Sequence, residues 1–349
     1  MAPTADDAPP DALPEVLPGA SPQPVPTALA PDQPVAAGSG SSGVADDDLA
    51  LPISFEARRG EGHDRTLVLG GGGLFFVAWQ IAYLHGVQRR GVDLRRAELV
   101  VGTSAGSIVA SILTAGRLHR FATKVDLLAK VPSLVAALAP TAELHPSQVR
   151  ARDTFALATD AESTTIRSIG HAALAAQAPS AAATQRNIGF VMGVRKWSDT
   201  SLRVSTVDAY TGERLVLRAE HGLTLPRAAA ASAAVPGLFS PVQVGDRRCM
   251  DGGVSGTGLH SDLVAGSARA IVVSLVGGAT SHPAGMTSAA DGQLAEIDHL
   301  RASGTAVHVA GPSSVSPEQL MDPTQLSAAL ELGEERAEAD AAALLDLWG

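Results

Sequence analysis

Val101-Gly102-Thr103-Ser104-Ala105-Gly106 decides the fold. Ahead of it runs Glu98-Leu99-Val100-Val101, short, apolar and β-branched, which is the composition of a buried strand. Behind it, Ser107 to Ala115 carries small and apolar residues at helical spacing. A Gly-x-Ser-x-Gly run therefore sits on a strand-to-helix turn, the setting a nucleophile elbow requires. So sharp a turn leaves no room for a side chain at Gly102 or Gly106. It also puts the Ser104 hydroxyl at the carboxyl edge of a sheet and at a helix N-terminus, where developing negative charge is favoured.

Two more glycine-rich stretches belong with it. Upstream, the strand Thr66-Leu67-Val68-Leu69 runs into Gly70-Gly71-Gly72-Gly73, and a helix follows over about Phe75–Arg90 with Val77, Ile81, Leu84 and Val87 on one face. Four glycines let the backbone turn tightly and aim several N–H groups into one concavity, which beside a nucleophile is what an oxyanion hole needs. Downstream, the strand Arg247-Arg248-Cys249-Met250 ends in Asp251-Gly252-Gly253. Taken alone, Asp251 reads as a turn aspartate; on that turn its carboxylate can face a neighbouring loop.

In this order the three stretches resemble the patatin-like phospholipases, which carry a glycine-rich block, Gly-x-Ser-x-Gly and then Asp-Gly-Gly or Asp-Gly-Ala. Ala231-Ser232-Ala233-Ala234-Val235-Pro236-Gly237-Leu238-Phe239-Ser240-Pro241 also resembles the segment before that family's aspartate. The resemblance runs from about Thr66 to the end of the chain. It implies a three-layer α/β fold with a mostly parallel sheet, a Ser104–Asp251 dyad working without histidine, and an oxyanion hole at Gly71, Gly72 and Gly73. Gly102, Gly106, Gly252 and Gly253 would support these groups. The implied reaction is cleavage of a lipid acyl ester through an acyl-enzyme, with no cofactor and no metal. One departure stands out. Where the family has a small residue, a basic residue and a further glycine, this chain has Leu74, Phe75 and Phe76; the two rings either line an acyl pocket or belong to the core.

Two rival functions fit the same residues. A Ser-Asp-His triad would draw its base from His260, His282, His299 or His308. A lipid-binding protein with weakened chemistry would explain the two phenylalanines. Other readings fail on their own terms. A dinucleotide fingerprint lacks its third glycine, and a P-loop lacks its lysine. The ten histidines show no metal spacing.

Composition narrows the setting. The net charge is −10, yet residues 1–50 hold eight acids and no base, leaving 26 basic and 28 acidic residues for the rest. A nucleic-acid partner, which would call for a clustered basic surface, is not expected. One cysteine, Cys249, excludes an internal disulfide, and no apolar run is long enough to span a bilayer. We therefore expect a cytoplasmic protein without a secretory signal that meets lipid transiently at the membrane surface. Leu134, Val135 and Leu138 are candidates for the site mouth. Residues 1–60 are read as a disordered Pro/Ala/Asp-rich tail, 61–349 as the acyl hydrolase domain, and 118–195 as a helical wall or lid. The apolar segments 131–140 and 235–244 are expected to shield the aspartate. Substrate and oligomeric state are not legible in the sequence.

Overall fold

The computed structural model describes residues 49–136, 143–197, 201–256, 258–277, 290–313 and 315–349. Residues 1–48, Leu138 and His282 lie outside the described residues. The chain divides at residue 42, and the unit described here begins at Gly43.

A run of buried β-branched and leucine residues needs cover on both faces, and the sheet is built accordingly. Strand β1 (Arg65–Leu69) lies at its centre between β2 (Leu99–Gly102) and β7 (Arg269–Val273), parallel to both. Val68 stands opposite Val101 on one side and Val272 on the other. Strand β3 (Leu202–Asp208) continues the parallel set beyond β2, and β8 (Ala306–Ala310) continues it beyond β7. Strands β4 (Arg214–Leu217), β5 (Val242–Val244) and β6 (Arg247–Asp251) add the antiparallel part: β4 and β6 pair with β3, and β5 pairs with β6.

The period of two along each strand sorts the core into layers. Leu67, Leu69, Ile271 and Val273 face α1 (Gly73–Arg89), α2 (Ala105–Thr114) and α10 (Leu326–Trp348). Val68, Val101, Ala270 and Val272 face the other way, onto Leu263, Val264 and the helix α9 (Ala290–Ala302) through Ile297 and Leu300. This is a three-layer α/β fold with a mixed, mostly parallel sheet. No helix among the described residues is long and apolar enough to cross a membrane.

Helix α1 departs from the one-sided pattern expected of it. It is buried nearly all round, because α2, α3 (Leu118–Ala129) and α10 all pack on it. Phe75 and Phe76 are core residues, and Phe76, Trp79 and Tyr83 stack along the helix with ring centroids 5.5 and 5.0 Å apart. A second difference concerns the tail. Residues 49–60 belong to the folded unit. Ala50 bridges to Leu215, Val216 N–H donates to Leu49 O, and a Cβ on Gly60 would fall 2.2 Å from Val264 O. Composition alone grouped this stretch with the acidic segment; its backbone is needed to complete the β4 edge.

The stretch read as a helical wall consists of α3, α4 (Pro132–Ala136), α5 (Pro146–Ala156), α6 (Ser163–Ala175) and α7 (Ala181–Met192). After β4 comes α8 (Leu225–Ser232). Cys249 is a buried residue of β6, and burial pushes its thiol up to about 12, so it is not a nucleophile at neutral pH.

Candidate active site

The register of the sheet brings the three glycine stretches together. Leu69 of β1 is paired with Gly102 of β2, so the Gly70–Gly73 block and the elbow leave the same edge side by side. Gly102 is paired with Val204 of β3, and Thr206, further along β3, is paired with Asp251 at the end of β6. Asp251 therefore reaches the same edge from an antiparallel strand, across the sheet from the glycine block.

The elbow has the strain its sequence predicts. Ser104 sits at φ 52°, ψ −120° and caps α2. A Cβ on Gly106 would fall 1.9 Å from Leu69 O, and one on Gly102 would fall 2.7 Å from Ser107 Cα. The strained backbone is over-determined by hydrogen bonds. Ser104 N–H donates to Ser232 Oγ at 2.8 Å, Ser107 Oγ donates to Ser104 O at 2.6 Å, and Thr103 Oγ1 meets Ser205 Oγ at 2.7 Å. Ser232 is the serine of the Ala-Ser-x-Ala segment, and α8 exists to hold it there. The same segment fixes Asp251: Asp251 N–H donates to Ala234 O at 3.0 Å, and Thr206 Oγ1 donates to Met250 O at 2.6 Å.

Two helix N-termini flank the Ser104 hydroxyl. Gly72 caps α1, and Gly71 lies against the serine, since a Cβ there would be 3.0 Å from Ser104 Cβ. The N–H groups of Gly71, Gly72 and Gly73 donate to no described residue, whereas Gly70 N–H is spent on Val273 O at 2.8 Å. Three free amides beside a hydroxyl, reinforced by helix dipoles, suit an anion.

Asp251 is 4 % exposed, as is Ser104. Its Oδ1 accepts from Gly253 N–H at 2.8 Å, while its buried Oδ2 has no well-formed hydrogen bond. Burial pushes the carboxyl up to about 6; the Ser104 hydroxyl and the Gly253 N–H pull it partway back. Burial thus brings the proton affinity of this carboxyl toward neutral pH, and Ser104 is the side chain it senses.

The described histidines among those proposed for a triad, His260, His299 and His308, are placed elsewhere. His260 is fully buried behind the Asp251 turn, with Nε2 3.0 Å from Gly252 O and Nδ1 3.3 Å from Arg214. Burial and the Arg214 charge push it down to about 4. His299 packs on Phe55, and His308 bonds Asp340 at 2.9 Å. Among the described residues, no cluster of His, Cys, Asp and Glu could hold a metal ion.

Ser104 opens into a cavity of about 170 Å³. Its walls come from α1 (Leu74, Val77), α3 (Phe121, Val125) and α7 (Ile188, Val191), with Val135, Val235 and Phe239 completing them. The helical stretch expected as a wall lines it, and so do members of both segments expected to shield the aspartate. Leu74 lines the cavity where Phe75 and Phe76 do not; Leu134 is half exposed and is not among the lining residues, unlike its neighbour Val135. Besides Ser104, the hydroxyl or amide side chain among the lining residues is Asn187, which makes no hydrogen bond to a described residue. Nothing in the sequence around Asn187 marked it.

A family model for patatin-like phospholipases matches residues 67–260, more than half of the chain. The chain belongs to the patatin-like phospholipase family. The matched span of this patatin-like phospholipase begins in β1 and ends at His260, so it takes in the glycine block, the elbow, α8 and the Asp251 turn. Among solved structures the chain is similar to VipD from Legionella pneumophila, at 13 % identity and a TM-score of 0.38, over 85 % of this chain and 67 % of VipD. It is also similar to the type III effector protein ExoU, at 15 % identity and a TM-score of 0.36, over 82 % of this chain and 53 % of ExoU. The chain thus spans about half the length of ExoU. The comparison with curated proteins gives no match.

Proposed function

We propose that this protein is a serine acyl hydrolase that cleaves an acyl ester of a lipid, with Ser104 as nucleophile and Asp251 as the base. One observation carries the reading: a strained, buried serine opens into an apolar cavity beside three undonated glycine amides and a half-paired aspartate. In the first step Asp251 Oδ2 takes the Ser104 proton as Oγ attacks the ester carbonyl carbon. The carbonyl oxygen becomes an oxyanion held by N–H groups of Gly71, Gly72 and Gly73; losing one such donor typically costs about 10²–10³ in rate. Collapse expels the alcohol, which takes the proton back from Asp251, and leaves an acyl-enzyme. Water then gives a proton to Asp251 as its oxygen bonds to the acyl carbon; the bond from that carbon to Ser104 Oγ breaks, Asp251 returns the proton to Oγ, and the fatty acid leaves.

Val77, Phe121, Val125 and Ile188 offer a hydrocarbon chain contacts and no competing polar group. We infer a cytoplasmic enzyme, since a single buried cysteine suits a reducing compartment, and one that meets lipid at the membrane surface without being held there by charge. Labelling with a fluorophosphonate tests the nucleophile. The wild-type protein should label and Ser104→Ala should not, with its thermal transition intact; undiminished labelling of that variant would sink the dyad. A panel of phospholipid, lysophospholipid and neutral esters then ranks substrates.

A further inference from the structure

His260 lies at the end of the family match and is unused by the dyad, yet it is fully buried at φ 56°, a conformation non-glycine residues adopt rarely. Its surroundings fix its tautomer. Arg214 Nη1, 3.3 Å from Nδ1, is a donor and cannot accept, so Nδ1 carries the lone pair and Nε2 carries the hydrogen. That Nε2–H donates to Gly252 O at 3.0 Å. Ser255 Oγ donates to the same carbonyl at 2.9 Å. Gly252 is closed in from the other side, where a Cβ would fall 2.6 Å from Ser205 Oγ.

Arg214 is itself buried and held by several bonds. It grips Asp262 through two bonds of 2.6 and 2.9 Å and donates to Leu51 O and Pro52 O. The groups facing His260 and this pair are therefore Arg214, Asp262, Arg59 on Asp262, and Glu296. Burial pushes Glu296 up to about 8, so it is largely neutral at pH 7.

We propose that His260 is a positioning residue for Asp251: by pinning the Gly252 carbonyl it orients the planar Gly252–Gly253 peptide, so that the N–H at its other end, that of Gly253, meets Asp251 Oδ1 and Oδ2 is left for Ser104. The inference rests on the dyad reading. One of the four histidines open to a triad is here a brace, two peptide units from the aspartate it serves.

The Gly253 N–H lowers the pKa of Asp251, so loosening it must raise that pKa and shift the acid limb of activity upward. The test is the pH profile of kcat/KM on a short soluble ester, with the full chain, for wild type, His260→Leu, His260→Gln and Ser255→Ala. Gln keeps both a donor and an acceptor; Leu keeps neither. We expect His260→Leu to move the acid limb up by about one unit, a roughly tenfold loss of rate well below the limb. His260→Gln should restore most of it, and Ser255→Ala should shift it less in the same direction. A folded His260→Leu with an unmoved limb overturns the inference, and so does His260→Gln behaving as badly as Leu. If His260→Leu does not fold, Ser255→Ala decides: a limb shifted up supports the brace, an unmoved limb overturns it. Asp251→Asn, run alongside, separates the two claims. If it stays fully active the dyad reading falls; if it is inactive while the His260→Leu limb is unmoved, the brace alone falls.

Discussion

Asp251 and Asp262 are buried aspartates on successive turns after β6, and they are treated in opposite ways. Asp262 has both oxygens taken, by Arg214 at 2.6 and 2.9 Å, with Ser54 N–H at 3.1 Å and Arg59 at 3.4 Å on Oδ2. Asp251 has a single backbone amide on Oδ1 and an Oδ2 without a well-formed bond. A buried carboxylate matched to a guanidinium has its hydrogen-bonding capacity filled and serves the fold. One left half-paired stays poised between its two protonation states and is free for chemistry. The difference is one of satisfaction: the fold pairs both oxygens of Asp262 and leaves Asp251 Oδ2 open, as the base we propose would require.

The sharpest way to break that contrast is to remove one charge at a time and read activity. Asp251→Asn should cut kcat by about 10⁴-fold while the protein stays folded. Retained turnover would mean that another base serves Ser104. Asp262→Ala should do the reverse. It strands Arg214 in the interior, which typically costs about 3–5 kcal/mol, and the loss should appear as a lower midpoint in denaturant melts. A midpoint unchanged by Asp262→Ala would show that the Arg214 pair is not structural.

The open aspartate, Asp251, should also make stability depend on pH. Asp251 titrates near 6 when folded, above the ordinary carboxylate value of 3.8, so the folded state holds its proton more tightly. Below about pH 3 it is neutral in both states and costs little. Between pH 4 and 6 the unfolded chain ionises first, and above 6 the fold bears the whole penalty, about 3 kcal/mol. Asp251→Asn removes the penalty. Its melting temperature should exceed wild type at pH 8, and the gain should all but vanish at pH 3. An equal gain at both pH values would show that the aspartate is not desolvated.

These contrasts mark how far the sequence could be read. The elbow was legible because its glycines answer to steric exclusion, and exclusion is local: at Gly106 a Cβ would collide with Leu69 O. The glycine block and the Asp-Gly-Gly turn were legible for the same reason, and the alternation of apolar residues carried the sheet. What depends on distant partners was not. Nothing near His260 tells a base from a brace, because Arg214 and Gly252 decide it. Phe75 and Phe76 went to the core because the turn of α1 gives the cavity to Leu74 and Val77. Residues 49–60 looked like tail because composition cannot register backbone groups spent on Arg214 and β4.

The smallest effect belongs to the far end of α1, where Arg89, Arg90, Arg95 and Arg96 form the densest basic cluster of the sequence. None of the four is left unmatched. Arg89 and Arg90 pair with Glu334, Arg90 at 2.8 Å; Arg95 pairs with Asp93, and Arg96 donates to the Gly349 carbonyl. Glu334 is pushed up by partial burial, but the two arginines hold it below the ordinary carboxylate range, so its support is present above about pH 4.5 and fades as acid protonates it. This carboxylate is satisfied like Asp262 but sits at the surface, where water already solvates both partners and the pair is worth less than about 1 kcal/mol. The helix contact beneath does not depend on it. A Cβ on Gly333 would fall 2.5 Å from Trp79 O, so α1 and α10 are locked by close packing. Glu334→Gln should therefore lower the melting temperature by no more than about 2–4 °C at neutral pH and leave ester hydrolysis unchanged. A fall as large as that of Asp262→Ala would mean that pairing, rather than burial of the paired charge, sets the cost of losing a carboxylate here.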